Sequence, residues 1–295
     1  MVVAGDPSSS PVPGGAPITE EEALDRLRQT DDQSLQYYAA WWLGKMRSRH
    51  PDTLPLLCRA LGQRLPRREA AGVEHNAVAR NAARALGKLG QAEAVPALLE
   101  SLEDDDDGLR EAAARALGDL GAASAIAPLC RRLASGLAGA GAVRTDSSRL
   151  IEPCEAFLEA LGEIGQAHPD VVAVIRPFIG HERPLIRSAA CRALLQLTSD
   201  PRWGEQLVQL LEHPQLQVRR AALMDLGASG WRPALEPIRR TLAENSLKLI
   251  ALRGLAEQLE PPSVPGAVDG AARAADSPHP DPATTAVLAV MDDLL

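Results

Sequence analysis

Arg84-Ala85-Leu86-Gly87-Lys88-Leu89-Gly90 returns as Arg115-Ala116-Leu117-Gly118-Asp119-Leu120-Gly121, a step of 31 residues (115 minus 84). Ala160-Leu161-Gly162-Glu163-Ile164-Gly165 repeats the phrase after a longer gap. Arg192-Ala193-Leu194-Leu195-Gln196-Leu197 and Ala222-Leu223-Met224-Asp225-Leu226-Gly227 are weaker copies. Upstream, Trp42-Leu43-Gly44-Lys45-Met46 is the same phrase with an aromatic start, and Ala251-Leu252-Arg253-Gly254-Leu255 closes the series. Each phrase reads as the C-terminal half of an amphipathic helix. Its glycines stand where neighbouring helices approach closely or where the chain turns through positive φ. Second helices of the type Ala94-Val95-Pro96-Ala97-Leu98-Leu99 and Ala125-Ile126-Ala127-Pro128-Leu129-Cys130 lie between the phrases. Two helices per period of roughly 30 residues predict an all-α helical-repeat solenoid, in which each repeat contacts only its neighbours.

This is the HEAT-type pattern, and composition agrees with it. Hydrophobic residues make up 45% of the 295, but Phe, Trp and Tyr only 3%, so burial rests on Leu, Ala, Val and Ile packed helix on helix. A net charge of -8 supplies no basic footprint for nucleic acid. No stretch approaches 18 apolar residues and no secretory leader is read, so the expectation is a cytosolic protein without membrane insertion. Cys58, Cys130, Cys154 and Cys191 show no paired spacing, and no metal site is expected; Cys58 and Cys130 recur as Leu-Cys-Arg, which reads as small core positions.

Three segments break the period. Residues 1–17 hold four prolines and residues 261–282 hold six, so 1–17 and 261–295 are expected to be disordered tails flanking a repeat domain over 18–260. Thr19 with Glu22 marks a capping-box start for the first helix. The glycine-rich insertion 135–149, ending in Val143-Arg144-Thr145-Asp146, stretches one step to 44 residues (162 minus 118) and is expected to be functional or mobile.

Four of the eight aromatic residues sit within six positions, Tyr37-Tyr38-Ala39-Ala40-Trp41-Trp42. Tyr38, Trp41 and Trp42 share a helix face at i, i+3 and i+4, and Tyr37 joins through Trp41. Such a face either stacks on a flat conjugated ligand, anchors a partner, or seals the open end of the repeat stack. Arg80, Arg110, Arg187 and Arg219 recur near helix starts and read as an inter-repeat ladder to acidic neighbours. His75, His168, His181 and His213 read as surface or capping residues. Asp119, Glu163 and Asp225 occupy the same place in their phrases.

Ser34 to Gly44, Arg80 to Gly90, Asp225-Leu226-Gly227-Ala228-Ser229-Gly230 and Glu244 to Arg253 together resemble the E-type subunits of the heterodimeric bilin lyases of cyanobacteria, nearest to those serving the phycocyanin alpha subunit. The likeness covers about residues 19–259; Cys154 stands where Tyr is expected, and the tails and the loop at 66–79 depart from the pattern. It implies a PBS-lyase-like HEAT solenoid and an F-type partner subunit. It also implies that phycocyanobilin, as substrate and with no cofactor, is joined by a thioether to a cysteine of apo-phycocyanin alpha subunit in phycobilisome biogenesis. On that reading Tyr37, Tyr38, Trp41 and Trp42 stack on pyrrole rings, and Arg80, Arg84 and Arg110 pair with the two propionates of the linear tetrapyrrole. Asp119, Glu163 and Asp225 are the candidate catalytic acids. Two alternatives stay open: an E-type subunit of an isomerising lyase for another bilin or phycobiliprotein, and a non-catalytic HEAT adaptor for phycobiliprotein assembly or turnover.

Overall fold

A computed structural model describes residues 18–63, 76–259 and 281–295. In chain order the helices are α1 (Glu20–Arg28), α2 (Gln33–Lys45), α3 (Thr53–Gly62), α4 (Ala77–Leu89), α5 (Val95–Ser101), α6 (Asp107–Asp119), α7 (Ile126–Leu133) and α8 (Cys154–Ile164). They continue as α9 (Pro169–Ile175), α10 (Pro184–Thr198), α11 (Pro201–Leu210), α12 (Leu216–Ser229), α13 (Leu235–Arg240), α14 (Asn245–Leu259) and α15 (Pro282–Leu294). The even-numbered helices from α2 to α14 carry the repeated phrase and stack on one another in a single row; the odd-numbered ones pack behind them. The chain is the all-α HEAT-like solenoid its repeats predict.

The row is held by backbone approach. A Cβ on Gly87 would stand 2.8 Å from Ala116 Cα, one on Gly162 2.8 Å from Ala193 Cα, and one on Gly227 2.7 Å from Ala251 Cα, so these helices touch where neither side chain exceeds a methyl group. Leu86, Leu117, Leu161, Leu194 and Leu226, one residue before each glycine or its counterpart, are buried beneath the joint. The second glycine of each phrase has the other use: Gly90, Gly121, Gly165 and Gly230 adopt φ of 70°, 59°, 72° and 68°, where an L side chain is strained.

Thr19 caps α1 as expected, its hydroxyl accepting from Glu22 N at 3.2 Å. Glu22 turns to Arg26 instead of back to the cap. The expected tail 1–17 lies outside the described residues. The expectation of a disordered tail over 261–295 is corrected for its last fifteen residues: Pro282 opens α15, which buries Val287 and Val290 against the end of the stack. Asn245 Nδ2 donates to Leu294 O at 2.9 Å. Proline at the first helical position loses no hydrogen bond, so the last proline of the run is a helix start.

The insertion is docked. Val143 and Leu150 form an antiparallel bridge, Ala140 is buried, and Arg183 Nη2 donates to Ser148 O at 2.6 Å. His181 is no surface residue: at 4% exposure its Nε2 meets Gly141 O at 2.9 Å, while Nδ1 accepts from Arg183 N at the start of α10. His168 and His213 accept backbone N–H groups two residues on, as capping residues do; His75 lies outside the described residues.

Candidate functional site

The glycine–alanine joints fix the register between helices. The residue before each joint alanine is Arg84 in α4, Arg115 in α6, Glu159 in α8 and Arg192 in α10. The same slot holds Trp41 in α2, Met224 in α12 and Ile250 in α14. One column therefore crosses the whole row: an aromatic end, a charged middle and an apolar end. The row curves inward along this side, because residues of α6, α8, α10, α12 and α14 border one cavity.

At the aromatic end Tyr37, Tyr38 and Trp41 are exposed, by 39%, 63% and 39%, and only Trp42 packs against the core. Tyr38 stands edge-on to both Tyr37 and Trp41, and Lys45 Nζ lies 4.8 Å from the Trp41 ring centre. Sealing the stack describes Trp42 alone; the other three rings form an open face.

Next along the column lies a cavity of ≈ 370 Å³ between α4, α6, α8, α10 and the insertion. Five arginines line it: Arg80, Arg84, Arg115, Arg149 and Arg183. Arg84 is exposed to the cavity and has no hydrogen-bond or ion-pair partner among the described residues. Arg80 is held 2.5 Å from Asp106. Burial pushes the Asp106 carboxyl up, but hydrogen bonds from Arg80, Asn76 and Leu109 N outweigh it and hold it below its ordinary value. Arg110 is removed from the candidate site. It is buried, with Nε 3.0 Å from Glu152 and Nη1 2.7 Å from Asp104 O, and it ties the segment just after the insertion to α6.

The expected ladder to acidic neighbours holds for Arg80 with Asp106 and Arg110 with Glu152, and is corrected for Arg187 and Arg219. Arg110, Arg187 and Arg219 each donate to the carbonyl six residues upstream, at 2.7, 3.0 and 2.8 Å, so they brace the loop before their own helix.

The centre of the column is an ion network. Arg115 pairs with Glu159, and Arg192 reaches Glu163 at 2.5 Å, Asp225 at 3.5 Å and Glu159 at 3.9 Å. Burial pushes Glu159 up to about 7 against the pull of Arg115 and Arg192. Burial also raises Asp225, which accepts from the Ser188 hydroxyl at 2.5 Å. Arg115 and Glu159 were within reach of sequence reasoning: a Glu occupies the slot where three other phrases carry Arg.

The equivalence of Asp119, Glu163 and Asp225 does not hold. Asp119 and Glu163 stand two residues before a capping glycine, whereas Asp225 precedes the close-packing Gly227 and lies five residues before the cap Gly230. Asp225 is consequently buried between α10 and α12, while Asp119 and Glu163 border a second cavity of ≈ 560 Å³. Burial and the charge of Glu163 raise the Asp119 carboxyl.

The thiols of Cys154 and Cys191 are buried and pushed up to about 12, so they stay protonated and unreactive at neutral pH.

HEAT repeats match residues 65–140 and 154–227, and the PBS lyase HEAT-like repeat matches 35–63 and 218–244. The bilin biosynthesis protein RpcE of Synechococcus sp. strain WH8020 is 50% identical over 254 residues, 86% of this chain and 95% of that one. The phycocyanobilin lyase subunit alpha of Synechocystis sp. strain PCC 6803 is 46% identical over 237 residues, 80% of this chain and 85% of its own. Among solved structures, the complex of CpcE and CpcF of phycocyanin lyase from Nostoc sp. PCC7120 matches with a TM-score of 0.80 and 40% identity, over 99% of this chain and 100% of that one.

Proposed function

The chain belongs to the family of phycocyanobilin lyase alpha subunits, and from that premise we propose that it is one half of a heterodimeric lyase. Paired with an F-type subunit, it attaches phycocyanobilin by a thioether bond to a cysteine of the phycocyanin alpha subunit, in the cytosol of a cyanobacterium. The observation that carries this reading is the continuity of the column, in which three exposed rings lead directly into an arginine-lined cavity. A linear tetrapyrrole has the complementary pattern of flat pyrrole rings and two propionates. Stacking suits the first and the guanidinium fork suits the second. Arg84, which has no hydrogen-bond or ion-pair partner among the described residues, is the propionate ligand, with Arg80 one turn away on α4 and Arg115 on the neighbouring α6.

Attachment adds the S–H of the acceptor cysteine across the ethylidene double bond of the A ring, which requires the bilin to be held extended and the thiol to be aimed at one carbon. The buried, protonated thiols of Cys154 and Cys191 do not compete for the bilin.

Coexpression with an F-type subunit, apo-phycocyanin alpha subunit and a phycocyanobilin supply tests the reading, with covalent pigment read on a denaturing gel. Pigment on the alpha subunit is expected, and Arg84→Ala lowers its rate about tenfold or more, the worth of one charge-assisted hydrogen bond. Tight binding of the alpha subunit without covalent pigment would assign the chain to the adaptor class instead, and an isomerised product spectrum would assign it to the isomerising lyases.

A further inference from the structure

The second cavity, bordered by Asp119, Glu163, Arg192, Gln196, Gly254 and Glu257, has features that the binding of rings and propionates leaves unexplained. Arg192 Nε and Gln196 Oε1 are both buried on its wall without a hydrogen-bond partner among the described residues, and Arg192 is only 8% exposed. A buried donor and a buried acceptor left unpaired on one wall each cost free energy.

Of the three carboxylates at this cavity, Asp119 and Glu163 lie under different constraints. Glu163 is clamped by Arg192 at 2.5 Å. Asp119 opens into the cavity and accepts no hydrogen bond among the described residues. It is faced by Lys88 from α4, Arg115 on its own helix, Glu163 from α8, Arg192 from α10 and Glu257 across the cavity from α14. Arg115 and Arg192 are already engaged with Glu159, Glu163 and Asp225, which leaves Lys88 as the cation drawing on Asp119, while desolvation and the Glu163 carboxylate outweigh it. Neighbouring acids whose surroundings drive them apart divide into a charged member and a proton-bearing one.

Resting on the lyase reading above, we propose that Asp119 is the proton donor of the addition and that Glu163, clamped by Arg192, is the carboxylate that faces it from α8 across the cavity. The acceptor sulfur forms a C–S bond to the exocyclic ethylidene carbon, and the π pair of that double bond moves to the adjoining ring carbon. Asp119 gives its proton to that carbon. The proton lost by the thiol goes to solvent, from which Asp119 is reprotonated, so one S–H is added across one C=C with no net redox change. Desolvation at the cavity and the Glu163 carboxylate raise the Asp119 carboxyl from its ordinary value, in keeping with this role.

The test follows the attachment rate against pH in the full-length chain coexpressed with its F-type partner, using phycocyanobilin and apo-phycocyanin alpha subunit. A donor must be protonated, so the wild-type rate falls as pH rises through the raised Asp119 value. Asp119→Asn is expected to lower the rate about 100-fold or more, at unchanged melting temperature and unchanged non-covalent bilin absorbance. Glu163→Gln, lacking the neighbouring charge, is expected to move the alkaline limb to lower pH while keeping most of the rate on the acid side. An Asp119→Asn rate within about twofold of wild type, loss of non-covalent binding in that variant, or an unmoved limb in Glu163→Gln each overturns the assignment while leaving the lyase reading intact. Absence of covalent pigment with the wild-type heterodimer overturns both.

Discussion

The joint between α8 and α10 and the joint between α10 and α12 occupy successive steps of one row and are built from opposite chemistry. At the first, Gly162 lies on Ala193 and the backbones touch. At the second, Leu195 stands in the glycine slot and Asp225 in the alanine slot, with the Asp225 carboxyl taken up by the Ser188 hydroxyl and Arg192. A glycine–alanine joint is stable because nothing polar is buried in it and dispersion contacts are dense. A charged joint gains its ion pairs only after desolvating them, so it contributes little net stability. Arg192, one member of the charged joint, also borders the second cavity.

The most severe way to break this comparison is to overfill a dry joint. Gly162→Leu places a side chain 2.8 Å from the Ala193 backbone, where nothing flexible can yield, and about 3 kcal/mol or more of stability should be lost in urea unfolding. A variant as stable as wild type would show that the row is not held by backbone approach.

The charged centre should instead reveal itself through pH. Glu159 has its folded value raised to about 7 from 4.5, so the stability it contributes is fully present below about pH 4.5 and lost as pH rises through 7. The difference in unfolding free energy between wild type and Glu159→Gln should therefore shrink by about 2 to 3 kcal/mol between pH 4.5 and 7.5. A pH-independent difference would mean that Glu159 is a fully ionised ion-pair partner and the centre no different from a surface salt bridge.

The smallest expected effect on stability belongs to the aromatic end. Trp41 is open to solvent and packs little, so Trp41→Leu should cost less than about 1 kcal/mol while abolishing most pigment attachment. Leu43→Ala, two residues on and fully buried, should cost about 2–5 kcal/mol. Equal melting losses in the two variants would return Trp41 to the role of a cap.

The sequence by itself determined the helical repeat, the Thr19 start, the place of the insertion, the aromatic segment and the family. All of these are local: a phrase, a spacing or a composition shift is carried by neighbours in the chain. It misplaced Asp225 because the phrase ends in Leu-Gly twice, once on the glycine that packs and once on the glycine that caps, and the two differ by a single helical turn. Only the contact of Gly227 with Ala251 and the positive φ of Gly230 distinguish them. Tertiary structure likewise decided that His181 holds the insertion and Arg110 the segment just after it, that three of the four aromatic rings stay open, and that Glu159 joins two arginines at the centre of the column. Burial and partnership depend on what the next helix brings to the same slot, and a repeat pattern shows which slots recur without showing which of them water can reach.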